Sequence, residues 1–119
     1  QGPEILVKPA AALALGLVIH ELTTNAAKHG SLSRPDGRVE IGWSLEHRSG
    51  PLLVAQWIES GGPAAKRPAR KGFGTTLIER ELKHTLGGNA EFDYTNEGLR
   101  ATLSIPFDPE RMSPGPAPR

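Results

Sequence analysis

The stretch from Leu13 to Gly30, LALGLVIHELTTNAAKHG, predicts one long helix whose two halves differ in character. Its first half is apolar almost all round, which indicates burial. At about 100° per residue, Glu21, Asn25 and Lys28 fall within about 60° of one another. Gly30 suits the position just past a helix C-terminus, where glycine is common. We therefore expect a buried helix that ends in a polar face.

The polar face of this helix has two interpretations. A carboxylate and an amide oxygen one turn apart are hard ligands, suited to Mg²⁺ or to positioning a water, and a lysine can meet a phosphate as a point charge. By spacing alone, a solvated face on an ordinary amphipathic helix is the simpler interpretation. A second stripe, about 120° away, is aliphatic and is expected to face the core: Leu15, Ile19, Leu22 and Ala26.

The composition of the 119-residue chain limits the class of protein. The length suits one domain with one core, and the absence of cysteine excludes disulfides and thiolate metal sites. A formal net charge of +1 gives no reason to expect nucleic-acid binding. We expect no signal peptide and no membrane-spanning run. Because the chain begins at Gln1, we interpret it as a fragment of a longer protein.

The periodicity of the remaining residues predicts a small α+β domain. The predicted helices cover residues 10–29 and 75–86, and the predicted strands cover residues 4–7, 38–45, 52–59, 90–94 and 99–107. This order favours a two-layer α/β sandwich: a mixed, mainly antiparallel sheet with helices on one face. Residues 108–119 hold four prolines and no apolar pattern, so we expect a disordered tail or linker after a folded domain at 1–107.

A second candidate stretch is WIESGGP, from Trp57 to Pro63. It reads as a strand that ends in the carboxylate of Glu59 and opens into Gly61 and Gly62. A carboxylate there can accept a hydrogen bond from an exocyclic amine, and glycines let a ring or a phosphate approach the backbone. The alternative is a strand that ends in a routine turn.

A third candidate stretch is KGFGTT, from Lys71 to Thr76, at the start of the second predicted helix. Free N–H groups at a helix N-terminus can hold an anion, although a flexible loop with a threonine N-cap explains the same residues. The preceding residues, 60–74, contain four glycines, two prolines and four cations. So long a segment without a predicted element indicates a lid or a binding loop.

Together and in this order, the three stretches resemble the GHKL-type ATP-binding (Bergerat) fold of histidine kinases. They resemble most closely the HWE family of sensor histidine kinases and the related HisKA_2 group. HELTTNAAKHG matches the N box of that family, WIESGGP its G1 region, and KGFGTTLIERELKHTLGG its G2 region with the helix that follows. The resemblance covers residues 2–107 and implies the catalytic domain of a protein histidine kinase, with ATP and Mg²⁺ as ligands.

The resemblance also implies roles for individual residues. Asn25 would bind the Mg²⁺ that bridges the ATP phosphates, and Glu21 would hold metal-bound water or assist the transfer. Lys28 would contact phosphate, and Glu59 would accept a hydrogen bond from the adenine amino group. The family pattern places further residues around the nucleotide: Gly61 and Gly62 in the adenine pocket, Gly72, Phe73 and Gly74 in the lid, Thr75 and Thr76 near the phosphates, and His29, where relatives commonly have Tyr or Phe.

The partners implied by the resemblance lie outside this chain. The γ-phosphoryl group would pass to a histidine on a phosphoacceptor and dimerisation domain upstream of Gln1, and then to a response regulator. We expect a cytoplasmic, homodimeric full-length bacterial protein, with no nucleic acid and no membrane contact by this domain. We expect His20, inside the N-box helix, to be structural or site-supporting and not the phosphoacceptor.

Two alternatives stay open. One is a serine kinase of the anti-sigma type with the same fold, against which the Trp-x-Glu pattern speaks. The other is a degenerate domain that binds a nucleotide or a partner without transfer, against which the intact Glu21, Asn25, Lys28 and GFG speak.

Overall fold

The computed structural model describes residues 1–66, 73–108 and 111–115. Within these ranges the chain forms β1 (Ile5–Val7), α1 (Pro9–His29), β2 (Arg38–His47), β3 (Pro51–Ser60), α2 (Phe73–Arg80), β4 (Asn89–Thr95), β5 (Gly98–Pro106) and β6 (Met112–Pro114). A 3₁₀ turn, Ser31–Ser33, follows α1, and a π-helical stretch, Glu81–Thr85, continues α2.

The main sheet has four strands in the order β2-β3-β5-β4, and every pairing between them is antiparallel. The two hairpins, β2–β3 and β4–β5, are joined by the pairing of β3 with β5, in which Trp57 lies opposite Ala101. Both helices pack on the sheet face that carries these two residues. This arrangement confirms the predicted two-layer α+β sandwich, and the described part of the sheet is antiparallel throughout, not mixed.

The face of α1 that meets the core differs from the predicted stripe. Leu22 and Ala26 are buried as predicted, but Leu15 is only half-buried and Ile19 is 36% exposed. The buried residues follow a helical spacing that starts from small side chains: Ala11, Ala14, Val18, Leu22 and Ala26. Small residues let a helix approach its neighbours closely, so the buried face of α1 includes alanines and is not set by the large side chains alone.

The first half of α1 is not buried all round, although it is apolar all round. Leu13 is 68% exposed and Leu17 is 37% exposed. By length and mean hydropathy alone, α1 passes the test for a membrane-crossing helix, contrary to our expectation. A core helix of a water-soluble protein passes the same test, and the buried stripe of α1 belongs to the core of this domain.

Residues 111–115 differ from the predicted disordered tail. β6 pairs antiparallel with β1, with Met112 opposite Val7, and Met112 is 1% exposed. The N–H of Lys8 also donates to the carbonyl oxygen of Arg111, at 2.9 Å. A single apolar side chain in a proline-rich context gives no periodicity, which is why the composition did not indicate this strand. The domain boundary at residue 107 stays a prediction.

The predicted lid is described only in part. Residues 67–72, which include Gly72, lie outside the described residues. Nearer β3, the N–H of Ala65 donates to the carbonyl oxygen of Thr95, at 2.9 Å, so this part of the segment contacts the end of β4. The following helix starts at Phe73, two residues before the predicted start.

Candidate functional site

The C-terminal half of α1 carries the predicted polar face. Glu21 and Asn25 are half-buried, whereas Lys28 and His29 are exposed. Leu22 and Ala26, each one position further along, are 1% exposed and lie in the core. The carboxylate and the amide therefore border the core, one turn apart, and are not on a fully solvated face. His20 is exposed.

The end of α1 is tied to the sheet through Gly30. Its N–H donates to the carbonyl oxygen of Ala26, at 3.0 Å, and its φ of −112° is extended, not left-handed. The need for glycine is therefore one of space, because a Cβ on Gly30 would overlap Oε1 of Glu59. The sequence predicted that the helix ends at Gly30 but did not predict the contact between Gly30 and Glu59.

Glu59 is buried near the end of β3, with 3% of its surface exposed. Its Oε1 accepts the peptide N–H of Ser31, and its Oε2 accepts the indole Nε1–H of Trp57, each at 2.9 Å. Trp57 precedes it by two residues and is also 3% exposed, so both side chains lie on the inner face of the strand. A buried carboxylate needs such donors. Glu59 is thus not the end of a strand in a routine surface turn.

Glycines let three chain segments meet beside Glu59, and we call this place the glycine junction: Gly30, Gly37, Gly61, Gly62 and Gly98. Gly61 has φ +77°, and a Cβ there would overlap the backbone of Asp36. A Cβ on Gly62 would overlap the backbone of Ser31. The structure therefore shows Gly61 and Gly62 packed against backbone, and their role in an adenine pocket stays a prediction.

The start of α2 holds the remaining predicted residues that the structure describes. Gly74, Thr75 and Thr76 lie in the first turn, after Phe73, and Thr75 is half-buried. Thr75 is thus inside the helix, and the threonine N-cap considered above is wrong. α2 packs against α1, which brings this helix start to the same side of the sheet as the polar face of α1.

The donor set suits a metal ion that arrives with a ligand. In residues 1–66, 73–108 and 111–115, no three His, Asp or Glu side chains come together as a metal site. Glu21 and Asn25 offer two oxygen donors on one face. Mg²⁺ is commonly held by one or two protein oxygens, with phosphates and water completing its octahedron. The residues present therefore fit a magnesium ion shared with a polyphosphate.

The fold is that of histidine kinase catalytic domains. The blue-light activated histidine kinase EL346 of Erythrobacter litoralis matches with a TM-score of 0.69 and 22% identity, over 89% of this chain and 33% of that one. The catalytic domain of the histidine kinase ThkA matches with a TM-score of 0.56 and 16% identity, over 79% of this chain and 66% of that one. No protein-family model matches the chain.

Sequence relatives agree with the fold. Blue-light-activated histidine kinase 1 of Erythrobacter litoralis is 43% identical over 108 residues, which are 88% of this chain and 29% of that protein. The blue-light-activated histidine kinase of Brucella anthropi is 37% identical over 107 residues, 89% of this chain and 22% of that protein. The chain is therefore similar to one segment of these histidine kinases, and it spans less than a third of their length. The resemblance to sensor histidine kinases is confirmed, and the narrower HWE assignment stays a prediction.

Proposed function

We propose that the chain binds Mg²⁺-ATP and is the part of a protein histidine kinase that transfers the γ-phosphoryl group to a histidine outside this chain. The named relatives support the class of enzyme. The observation that carries the proposal is the pair Glu21 and Asn25, half-buried one turn apart on α1. The end of the same helix is tied to the sheet through Glu59.

Three residues on α1 have different proposed roles at the phosphates. The amide oxygen of Asn25 and the carboxylate of Glu21 would hold the magnesium ion, which when bound neutralises charge on the phosphates. Lys28 contacts a phosphate oxygen as a point charge. During transfer the bond from the γ-phosphorus to its bridging oxygen breaks, a nitrogen–phosphorus bond forms on the acceptor histidine, and ADP leaves. The attacking nitrogen uses its lone pair, so the proton is lost from the other ring nitrogen, and Glu21 would accept it.

The proposal also covers the contacts of the adenine base and the lid over the nucleotide. Each Glu59 oxygen keeps a second lone pair, so a contact with the adenine amino group is compatible with its two protein donors. Backbone N–H groups in the first turn of α2, at Thr75 and Thr76, suit a phosphate. We keep His29 as an exposed residue beside the nucleotide, and residues 60–74, with Gly72, as the lid.

The partners of the full-length protein follow from the same proposal. We propose a phosphoacceptor and dimerisation domain upstream, a response regulator downstream, a homodimer and a cytoplasmic location. The relatives are three to five times longer than the matched segment, which leaves them room for further domains.

Phosphoryl transfer in trans tests the proposal. The 119-residue chain is mixed with γ-labelled ATP, Mg²⁺ and the phosphoacceptor domain of the full-length protein. We expect an acid-labile phosphohistidine on the acceptor, lost when EDTA is added or in Asn25→Ala. Asn96→Ala, an exposed asparagine in the β4–β5 turn, is the matched control and should transfer normally. Acid-stable phosphoserine would favour the anti-sigma type, and ATP binding without any transfer would favour a degenerate domain.

A further inference from the structure

Trp57, Glu59 and Ser31 form one buried hydrogen-bonded unit, which we call the Glu59 clamp. The indole N–H of Trp57 and the peptide N–H of Ser31 donate to different oxygens of the same carboxylate, both at 2.9 Å. All three residues are at most 3% exposed. Hydrogen bonds to an ionised acceptor are among the stronger ones, and two donors in fixed positions hold the carboxylate in one orientation.

The clamp joins the middle of the sheet to the end of α1. Ser31 is the second residue beyond α1, so only Gly30 separates His29, the last residue of the helix, from the N–H that Glu59 accepts. Gly30 lies against Oε1. Gly98, with φ +139°, lies so close to the backbone of Glu59 that a Cβ there would be 2.7 Å from the carbonyl oxygen of Glu59. Glu59 is therefore packed against Gly98 at its backbone and against Gly30 at its carboxylate, which also holds its two donors.

We propose that Trp57 and Glu59 are positioning residues for the nucleotide site: they hold the end of α1, and with it Asn25 and Lys28, in one place on the sheet. The proposal rests on the proposed function only because a nucleotide is the ligand that reports on it. Without the clamp, the arrangement that binds the ligand is populated for a smaller fraction of the time. The apparent Kd then rises in inverse proportion to that fraction.

Positioning differs from reading the base in a measurable way. If Glu59 acts only through the adenine amino group, its removal matters only for nucleotides that carry that group, and Trp57 has no part in affinity. If Glu59 acts by positioning, its removal also weakens the binding of nucleotides that lack the amino group. Loss of the Trp57 indole N–H then weakens binding too, although the carboxylate is still present.

Calorimetry with Mg²⁺ and two ligands separates these roles. The ligands are ATP and purine riboside 5′-triphosphate, which lacks the 6-amino group. Glu59→Gln places an amide NH₂ against one of the two N–H donors, and Trp57→Phe keeps the ring but removes the indole donor. We expect Trp57→Phe to lose about tenfold in affinity for both ligands, as when the competent fraction falls to about a tenth, and Glu59→Gln to lose at least as much for each. Trp43 is the control, because its indole donates to the carbonyl oxygen of Pro3, at 2.6 Å, and not to Glu59. Trp43→Phe should bind both ligands like the wild type.

A second measurement needs no nucleotide. Amide exchange at Ser31 should be at least about tenfold faster in Glu59→Leu than in the wild type, because leucine leaves the N–H without an acceptor. Loss of affinity for ATP alone in Glu59→Gln would show that Glu59 reads the amine, and the positioning role would be overturned. Wild-type affinities for both ligands in Trp57→Phe would overturn it as well. If the wild type binds neither ligand, the proposed function fails, and Ser31 exchange alone decides whether the clamp exists.

Discussion

Gly62 gives the sharpest test of the packing at the glycine junction. A Cβ on this residue would lie under 3.0 Å from Cα of Ser31, and 3.1 Å and 3.2 Å from the N and C atoms of the same residue. Carbon atoms pack at about 3.5–4.0 Å, so the backbone must move by roughly half an ångström or more. Overpacking of this kind costs about 1–3 kcal/mol. We expect Gly62→Ala to lower the free energy of unfolding by that amount and the Tm by roughly 5–15 °C.

Gly16 is the matched control for this substitution. It lies inside α1, and a Cβ there would meet nothing within 4 Å. Alanine is favoured over glycine in a helix by ~1 kcal/mol, so Gly16→Ala should raise the Tm by roughly 3–5 °C. Thermal unfolding followed by circular dichroism without nucleotide compares the two. If both substitutions shift the Tm in the same direction, the close approach of Gly62 to Ser31 is wrong.

Three further predictions address the core, the C-terminal strand and the polar face. Leu22→Ala should lower the free energy of unfolding in urea by about 2–5 kcal/mol, because the side chain is 1% exposed. Leu13→Ala, at a residue that is 68% exposed, should change it by less than about 0.5 kcal/mol. Equal losses would contradict the assigned face of α1. Met112→Ala should lower the free energy of unfolding by about 2 kcal/mol or more, because this side chain is buried. An unchanged unfolding midpoint would instead support the predicted disordered tail. Lys28→Ala should weaken ATP binding about tenfold at low salt and less at high salt, and a loss that does not vary with salt would remove the phosphate contact.

The sequence was sufficient for the architecture because its patterns repeat over many residues. The hairpins around β2–β3 and β4–β5 show a period of two, and the spacing of Glu21 and Asn25 on α1 needs only the geometry of a helix. WIESGGP and the N box carried the resemblance that the relatives confirm.

Other features depend on contacts that no local pattern encodes. An all-apolar half-helix does not say which side meets the core, so Leu13 and Ile19 were placed wrongly and Ala11 and Ala14 were missed. The partners of Glu59 come from residues 2 and 28 positions away along the chain. The spacing of Trp57 and Glu59, two residues apart on one strand, predicts that they share a face. Nothing in the sequence predicts that the peptide N–H of Ser31 also donates to Glu59.

Equilibrium binding of ATP tests the central claim most directly. Calorimetry is run on the wild-type chain and on Asn25→Ala, each with Mg²⁺ and with EDTA, and Asn96→Ala serves as the control. We predict saturable binding by the wild type that depends on Mg²⁺. We also predict that Asn25→Ala removes that dependence together with most of the affinity, because the amide oxygen is one of two protein donors on this face. Undiminished, Mg²⁺-dependent binding by Asn25→Ala, or no binding by the wild type at millimolar ATP, would contradict the account.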